Sequence, residues 1–168
     1  HFLCEHLVFD RVDDPEDFFN LAFEKELASI GKEENKLITE MREQAKQIHP
    51  LIMPELNKIF GEFEVFSVEE QLYEDINEAT VPYKFKGFID LVIRTNDGKF
   101  HIIDWKTCSW GWDAKKKADK YITYQLTLYK KFWCEKYEVD PKLVETHFAL
   151  LKRTAKKDNV EIFRVTSG

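Results

Sequence analysis

Cysteine is scarce: the chain has 3 in 168 residues, Cys4, Cys108 and Cys134, widely separated and without CxxC spacing. That count and spacing argue against a structural zinc or a disulfide framework. A Cys4 iron–sulfur cluster would lack a ligand, so none is expected. Unpaired thiols suit a reducing compartment, and an intracellular location is the expectation. No apolar run approaches the roughly 20 residues of a membrane span, and no basic-then-apolar leader is present, so no membrane partner is expected. A GxxxxGK[ST] loop is missing, which excludes a nucleotide-driven motor of that type. HxH and DxD clusters are missing too, as are internal repeats and low-complexity linkers. The opening His1-Phe2-Leu3 is apolar, as expected of a segment of a longer protein.

The residues that are abundant argue for a packed core. Hydrophobic residues make up 43%, aromatics 14%, and there are 14 Phe, which favours a globule over a disordered chain. The length fits a single domain over 1–168, with a helical part at 1–62 and a sheet-and-helix core at 63–168. A net charge of −6 gives no global attraction to a polyanion. Lysines do cluster locally, at Lys115-Lys116-Lys117 with Lys120 and at Lys152-Arg153 with Lys156-Lys157. Such runs are usually solvated faces, so they are compatible with phosphate binding without establishing it.

The first third reads as helical. Asp14-Pro15-Glu16-Asp17 combines a capping Asp, proline at the first helical position and acids in the first turn; Phe19, Phe23, Leu27 and Ile30 follow at helical spacing, and Gly31 ends the segment. A second helix is expected from Glu33 to His49, stopped by Pro50, and a short third from Leu51 to Phe60. Phe63 to Tyr73 reads as a strand, Glu74 to Pro82 as a polar loop, and Tyr83 to Arg94 with Lys99 to Thr107 as a hairpin. A long helix is expected from Ala114 to Tyr137, burying Ala118, Ile122, Gln125, Leu126, Tyr129 and Trp133. Val144 to Arg153 and Asn159 to Val165 form a closing hairpin. The order of helices, three strands, helix and two strands predicts an α/β (α+β) fold: a mixed central sheet flanked by helices.

The hairpin carries the chemistry. Thr95-Asn96-Asp97-Gly98-Lys99 is a turn signal in which Gly98 can take the left-handed conformation of a three-residue loop. If Thr95 pairs with Lys99, Asp90 falls opposite Asp104 and Phe88 opposite Lys106. Strand alternation then puts Asp90, Asp104 and Lys106 on one face. Opposed carboxylates about 5 Å apart repel, so a cation between them is the natural complement. Phosphodiester hydrolysis needs a positioned water, neutralisation of charge at phosphorus and stabilisation of a leaving alkoxide. Hard carboxylate oxygens that bind Mg²⁺ or Mn²⁺ can serve all three. Asp90 and Asp104 are therefore expected ligands, with the backbone carbonyl of Trp105 as a third, and Lys106 is expected to act at the water.

Gly87-Phe88-Ile89-Asp90 followed by Ile103-Asp104-Trp105-Lys106-Thr107 resembles the core of the PD-(D/E)XK nuclease superfamily. More closely it resembles the RecB-like branch, whose members read G-x-x-D, then D-(W/Y)-K-T, then Q-x-x-x-Y on the next helix. Gln125-Leu126-Thr127-Leu128-Tyr129 supplies that last element, its Gln and Tyr one turn apart on one face. The resemblance implies a restriction-endonuclease-like fold and a helix that lies against the active site, its Gln125 and Tyr129 supporting the site or substrate. Val68-Glu69 resembles the family's upstream V-E element, which makes Glu69 a further catalytic and metal-ligating candidate, with Glu70 as its rival. His1 resembles the histidine of a G-x-x-x-H element and is a candidate metal ligand. Trp110 and Trp112, in a loop followed by Lys115 and Lys116, suit base stacking and phosphate contact, although one tryptophan could cap the core.

The resemblance implies a Mg²⁺- or Mn²⁺-dependent deoxyribonuclease, an exonuclease on single strands or free ends, acting in recombination, repair or replication. Its partners would be DNA and the proteins of such a complex. Its location would be the cytoplasm or nucleoid, or a DNA-containing organelle. Phage, bacterial and mitochondrial exonucleases of the branch are comparably similar, so the source stays open. Two other classes compete: an inactive nuclease-fold module that binds DNA or a protein partner, and a different metallohydrolase with paired aspartates. The complete Asp90, Asp104 and Lys106 set weighs against the first, and the missing HxH and DxD clusters against the second.

Overall fold

A sheet whose two faces are both covered by helices organises this chain, and the local signals that start each element are visible in the sequence. The structure is a computed structural model that describes residues 2–9, 13–31, 35–76, 80 and 82–166. Helix α1 spans Phe2–Val8 and α2 spans Pro15–Ser29, with the Asp14 carboxylate accepting from the Asp17 amide at 3.1 Å. This is the expected cap, and it satisfies one of the free amides of the first turn. Helix α3, Lys36–Phe60, is capped by Asn35, whose side chain accepts from Ile38 N at 3.1 Å.

Two helices were expected where α3 is one. It runs through Pro50 and Pro54, and His49 lies inside it rather than at an end. Both prolines are on its solvent side, where the carbonyls they leave unpaired can bind water. Ile48, Ile52 and Leu56, four residues apart, form a continuous stripe buried against the sheet. Each contributes about 1.5–3 kcal/mol by burial, which together offsets a penalty of about 3 kcal/mol for each proline.

The strands are β1 (Phe63–Asp75), β2 (Lys84–Thr95), β3 (Phe100–Cys108), β4 (Val144–Lys152) and β5 (Val160–Val165), hydrogen-bonded in sequence order. Pairing is antiparallel except between β3 and β4. The crossover that parallel pairing requires is the helical segment after β3. It was expected as one helix and is two: α4 (Ala114–Lys117), then α5 (Lys120–Tyr137), restarted by Asp119, whose carboxylate accepts from Tyr121 N at 2.9 Å. Ala118 falls in the break and is exposed, as is Gln125, so neither belongs to the buried stripe. Leu126, Tyr129, Phe132, Trp133 and Cys134 form that stripe. The fold is α+β, a mixed five-stranded sheet between helices and consistent with a restriction-endonuclease-like fold.

Two apolar layers result. On one face α1 and α3 pack Cys4, Ile48, Ile52 and Leu56 against Leu91, Ile93, Ile103, Trp105, Ala149 and Leu151. On the other, α5 packs Leu126, Tyr129, Phe132 and Trp133 against Val92, Ile102, Phe148 and Leu150. Among the described residues no helix is long and apolar enough to cross a membrane. Leu56 is 0% exposed at the centre of the first layer. Leu56→Ala is expected to destabilise the fold by about 2–5 kcal/mol, a shift read from the midpoint and slope of urea denaturation.

Candidate active site

The β2–β3 turn sets the register that the site depends on. Thr95 N donates to Lys99 O at 3.0 Å, Gly98 N donates to Thr95 O at 3.0 Å, and Gly98 has φ +81°. The ladder then runs Arg94–Phe100, Ile93–His101, Val92–Ile102 and Leu91–Ile103, so the next position brings Asp90 to Asp104. The ladder stops there. In place of a backbone acceptor, the Asp90 carboxylate takes the Trp105 N–H at 2.8 Å.

Strand alternation does not continue through this point. Leu91 packs in the α3-side layer, whereas Ile89, two residues away, packs in the α5-side layer. On β1, Val68 packs on the α3 side, while Glu70 reaches across to Lys136 of α5. Residues two apart normally share a face. Both strands therefore change sides at the Glu69–Asp90 step, where Glu69 takes φ +45°, an uncommon conformation for a residue with a Cβ. The inference of a common face from alternation alone is thus too simple: Asp90 occupies the step itself.

Around that step the other candidates assemble. Lys106 Nζ lies 2.9 Å from Asp104 Oδ2 and donates to Gln125 Oε1 at 3.3 Å. Gln125 Nε2 in turn donates to the Tyr129 hydroxyl at 2.9 Å, and that hydroxyl accepts from the Phe88 backbone. Glu69 follows Val68, the partner of Leu91, and its charge acts on Asp90. Glu70 is engaged elsewhere, by Ser67 Oγ at 2.6 Å and Lys136 Nζ at 3.0 Å. Trp110 is 76% exposed. Trp112 instead packs edge-on against Phe148, with ring centroids 5.2 Å apart, so it caps the core. Lys116 lies over the Trp112 ring at 4.8 Å, and Lys115 is exposed. His1 lies outside the described residues.

Burial shapes the electrostatics. It raises the Asp90 carboxyl to about 7, and the charges of Asp104 and Glu69 push the same way, against the Trp105 N–H and Lys106. Burial also raises Asp104, opposed by Lys106 and by a hydrogen bond to Asp90. Asp104 Oδ2 is buried, with the Lys106 ammonium 2.9 Å away as its charge partner. A pair of hard carboxylates meeting in a largely buried setting is a donor set that fits a divalent Mg²⁺-type ion.

Gly87 exists in the sequence for packing. A Cβ at Gly87 would stand 2.8 Å from Cε1 of Tyr129 and 3.3 Å from the Phe85 ring. The close approach of β2 to α5 is therefore possible only without a side chain there.

Two features escaped the sequence reading. Tyr121, 95% exposed, lies one turn before Gln125 on the same helix face; its Y-x-x-x-Q spacing was the available signal. His101, Glu145 and His147 converge on the opposite face of the sheet, brought together by β3–β4 pairing of His101 with Glu145. Burial pushes both imidazoles down, His147 to about 3, and nothing local in the sequence announces the group.

Two outcomes follow for the metal-free protein. Between the ordinary Asp90 value of 3.8 and about 7 the folded state holds a proton that the unfolded state has lost. Stability from this group is therefore greatest below that window and falls as pH rises through it. Asp90→Asn should raise the melting temperature at pH 8 and leave it nearly unchanged at pH 4, by thermal denaturation in EDTA. Gly87→Ala should cost about 1–3 kcal/mol in chemical denaturation by driving a methyl into the Tyr129 ring.

The chain matches a family model described as "PD-(D/E)XK nuclease superfamily" over residues 5–166. No curated protein matches it. It is similar to a solved structure titled "Crystal structure of SSO0001", with 19% identity and a TM-score of 0.43. The alignment covers 73% of this chain and 49% of that one, so the chain spans about half the length of that structure. With a family match over nearly its whole length, the chain belongs to the PD-(D/E)XK nuclease superfamily, a superfamily of metal-dependent nucleases.

Proposed function

We propose that the chain is a Mg²⁺- or Mn²⁺-dependent deoxyribonuclease of the RecB-like branch, an exonuclease serving DNA recombination, repair or replication. The observation that carries this reading is the meeting of Asp90 and Asp104 at the end of the β2–β3 ladder, with Lys106 Nζ 2.9 Å from Asp104. Asp90, Asp104 and the Trp105 carbonyl would hold the ion, with Glu69, across from Asp90, and His1 as further ligands. A divalent ion held there supplies charge neutralisation at the scissile phosphate and acidifies an attacking water.

The chain's own groups divide the remaining work. Lys106, tethered by Gln125 Oε1, orients that water and its proton beside the carboxylates. Tyr129 fixes Gln125 and so fixes the direction of the ammonium group. The exposed Trp110 and Tyr121 rings offer stacking surfaces to unpaired bases, and Lys115 and Lys116 offer charge to phosphates. Trp112 serves this face indirectly, as the platform under Lys116. Stacking surfaces beside the site favour single-stranded DNA or frayed ends over intact duplex, whose bases are not available.

Labelled single- and double-stranded DNA incubated with Mg²⁺ or Mn²⁺ should be cleaved, and EDTA should stop it. Asp104→Asn and Lys106→Ala should each slow cleavage by at least about 100-fold with circular dichroism unchanged. Cleavage that survives both substitutions, or DNA binding without any cleavage by the unaltered chain, would remove the assignment.

A further inference from the structure

The His101, Glu145 and His147 group stands apart from the carboxylate site, on the α3 face of the sheet beneath the last turn of α3. His101 Nδ1 lies 2.9 Å from His147 Nε2, and Glu145 Oε2 lies 3.6 Å from the first and 4.0 Å from the second. A tetrahedral zinc ion with bonds of about 2.0–2.1 Å keeps its ligand atoms about 3.3–3.4 Å apart. The three separations straddle that value, so shifts of a few tenths of an ångström would close the site.

The surrounding bonds orient the donors. Thr95 Oγ1 has one proton, and its nearest acceptor is Asp97 Oδ1 at 2.5 Å, with Lys99 O at 3.3 Å. Its contact with His101 Nε2 at 3.1 Å is therefore an N–H of His101 donating to the hydroxyl oxygen. That fixes the His101 tautomer and leaves Nδ1 as a bare lone pair directed at His147. Glu145 divides its oxygens: Oε1 takes Lys99 Nζ at 3.2 Å and Arg164 Nη1 at 3.4 Å, and Oε2 faces the two imidazoles. The two cations offset the carboxylate's charge, yet they also hold it in place from outside, as outer partners of metal ligands do. Without an ion, His147 Nε2–H can donate to His101 Nδ1; ion binding requires only that His147 move its proton to Nδ1.

The Phe60 ring lies 4.9 Å from the His101 ring and 5.0 Å from the His147 ring and covers the group. A cavity of about 390 Å³, lined by Phe60, Gly61, Glu62, Thr95, Asp97 and His101 among others, opens beside it and offers entry and room for a water as fourth ligand. We propose that His101, Glu145 and His147 bind a zinc ion that ties β3 to β4, separately from the carboxylate site. Two imidazoles select zinc over the Mg²⁺ or Mn²⁺ suited to an all-oxygen site.

The test uses the full chain carrying Asp90→Asn and Asp104→Asn, which removes the carboxylate site, after EDTA treatment and dialysis. Calorimetric titration with Zn²⁺ should give one ion per chain, Zn²⁺ should raise the melting temperature, and Co²⁺ should give the intense visible bands of four-coordination. Adding His147→Ala, or the more conservative Glu145→Gln, should weaken Zn²⁺ binding on the order of 100-fold. Absence of stoichiometric Zn²⁺ binding, a weak six-coordinate Co²⁺ spectrum, or unchanged affinity in the folded Glu145→Gln chain would overturn the proposal.

Discussion

Two carboxyl groups brought together at the end of an antiparallel ladder cannot both ionise in a buried setting without a countercharge. Asp90 and Asp104 are in that position, and much of the surrounding architecture serves to hold them there. The Trp105 amide, released from the ladder where β2 and β3 part, fixes one of them, and Lys106 balances the other. The cost of keeping the pair is met by the apolar layers on both sides, whose largest side chains are fully buried. The arrangement is destabilised for folding and prepared for a cation, a combination that recurs where structure is strained in favour of chemistry.

The face change at Glu69 and Asp90 explains how a carboxylate reaches this position at all. On a regular strand Asp90 would stand perpendicular to the sheet, aimed at α5. The step, with Glu69 in the left-handed region, lets the Asp90 carboxylate bond along the sheet to the neighbouring backbone. It also separates Glu69 from Glu70, committing the second to Lys136 and leaving the first beside Asp90.

What the sequence made legible was local. The hairpin register followed from Gly98 and a short polar turn, because turn geometry fixes strand pairing within a few residues. The Asp14 cap and the Gln125–Tyr129 spacing were readable for the same reason. Less legible were features decided by distant partners. Pro50 argues for a helix end, yet the buried stripe of α3 against the sheet overrides it. Asp119 falls inside the single helix expected from Ala114 to Tyr137, yet its side chain caps a new one. Trp110 and Trp112 were equivalent as letters; Phe148 is what separates a core ring from an exposed one. The His101–Glu145–His147 group requires knowing that β3 and β4 run side by side, which no local pattern states.

The tie from Lys106 to Gln125 joins residues on either side of the turn into the crossover helices, and β4 must dock beyond them to complete the sheet. A hairpin closes quickly because its contacts are near in sequence, whereas parallel pairing waits for a long loop to be ordered. The acidic half of the centre can therefore assemble early, while the ammonium group gains its tether only when the chain has nearly finished folding. A polypeptide still emerging from the ribosome would carry the carboxylates without a tethered lysine, so the cluster is complete only once the domain is whole.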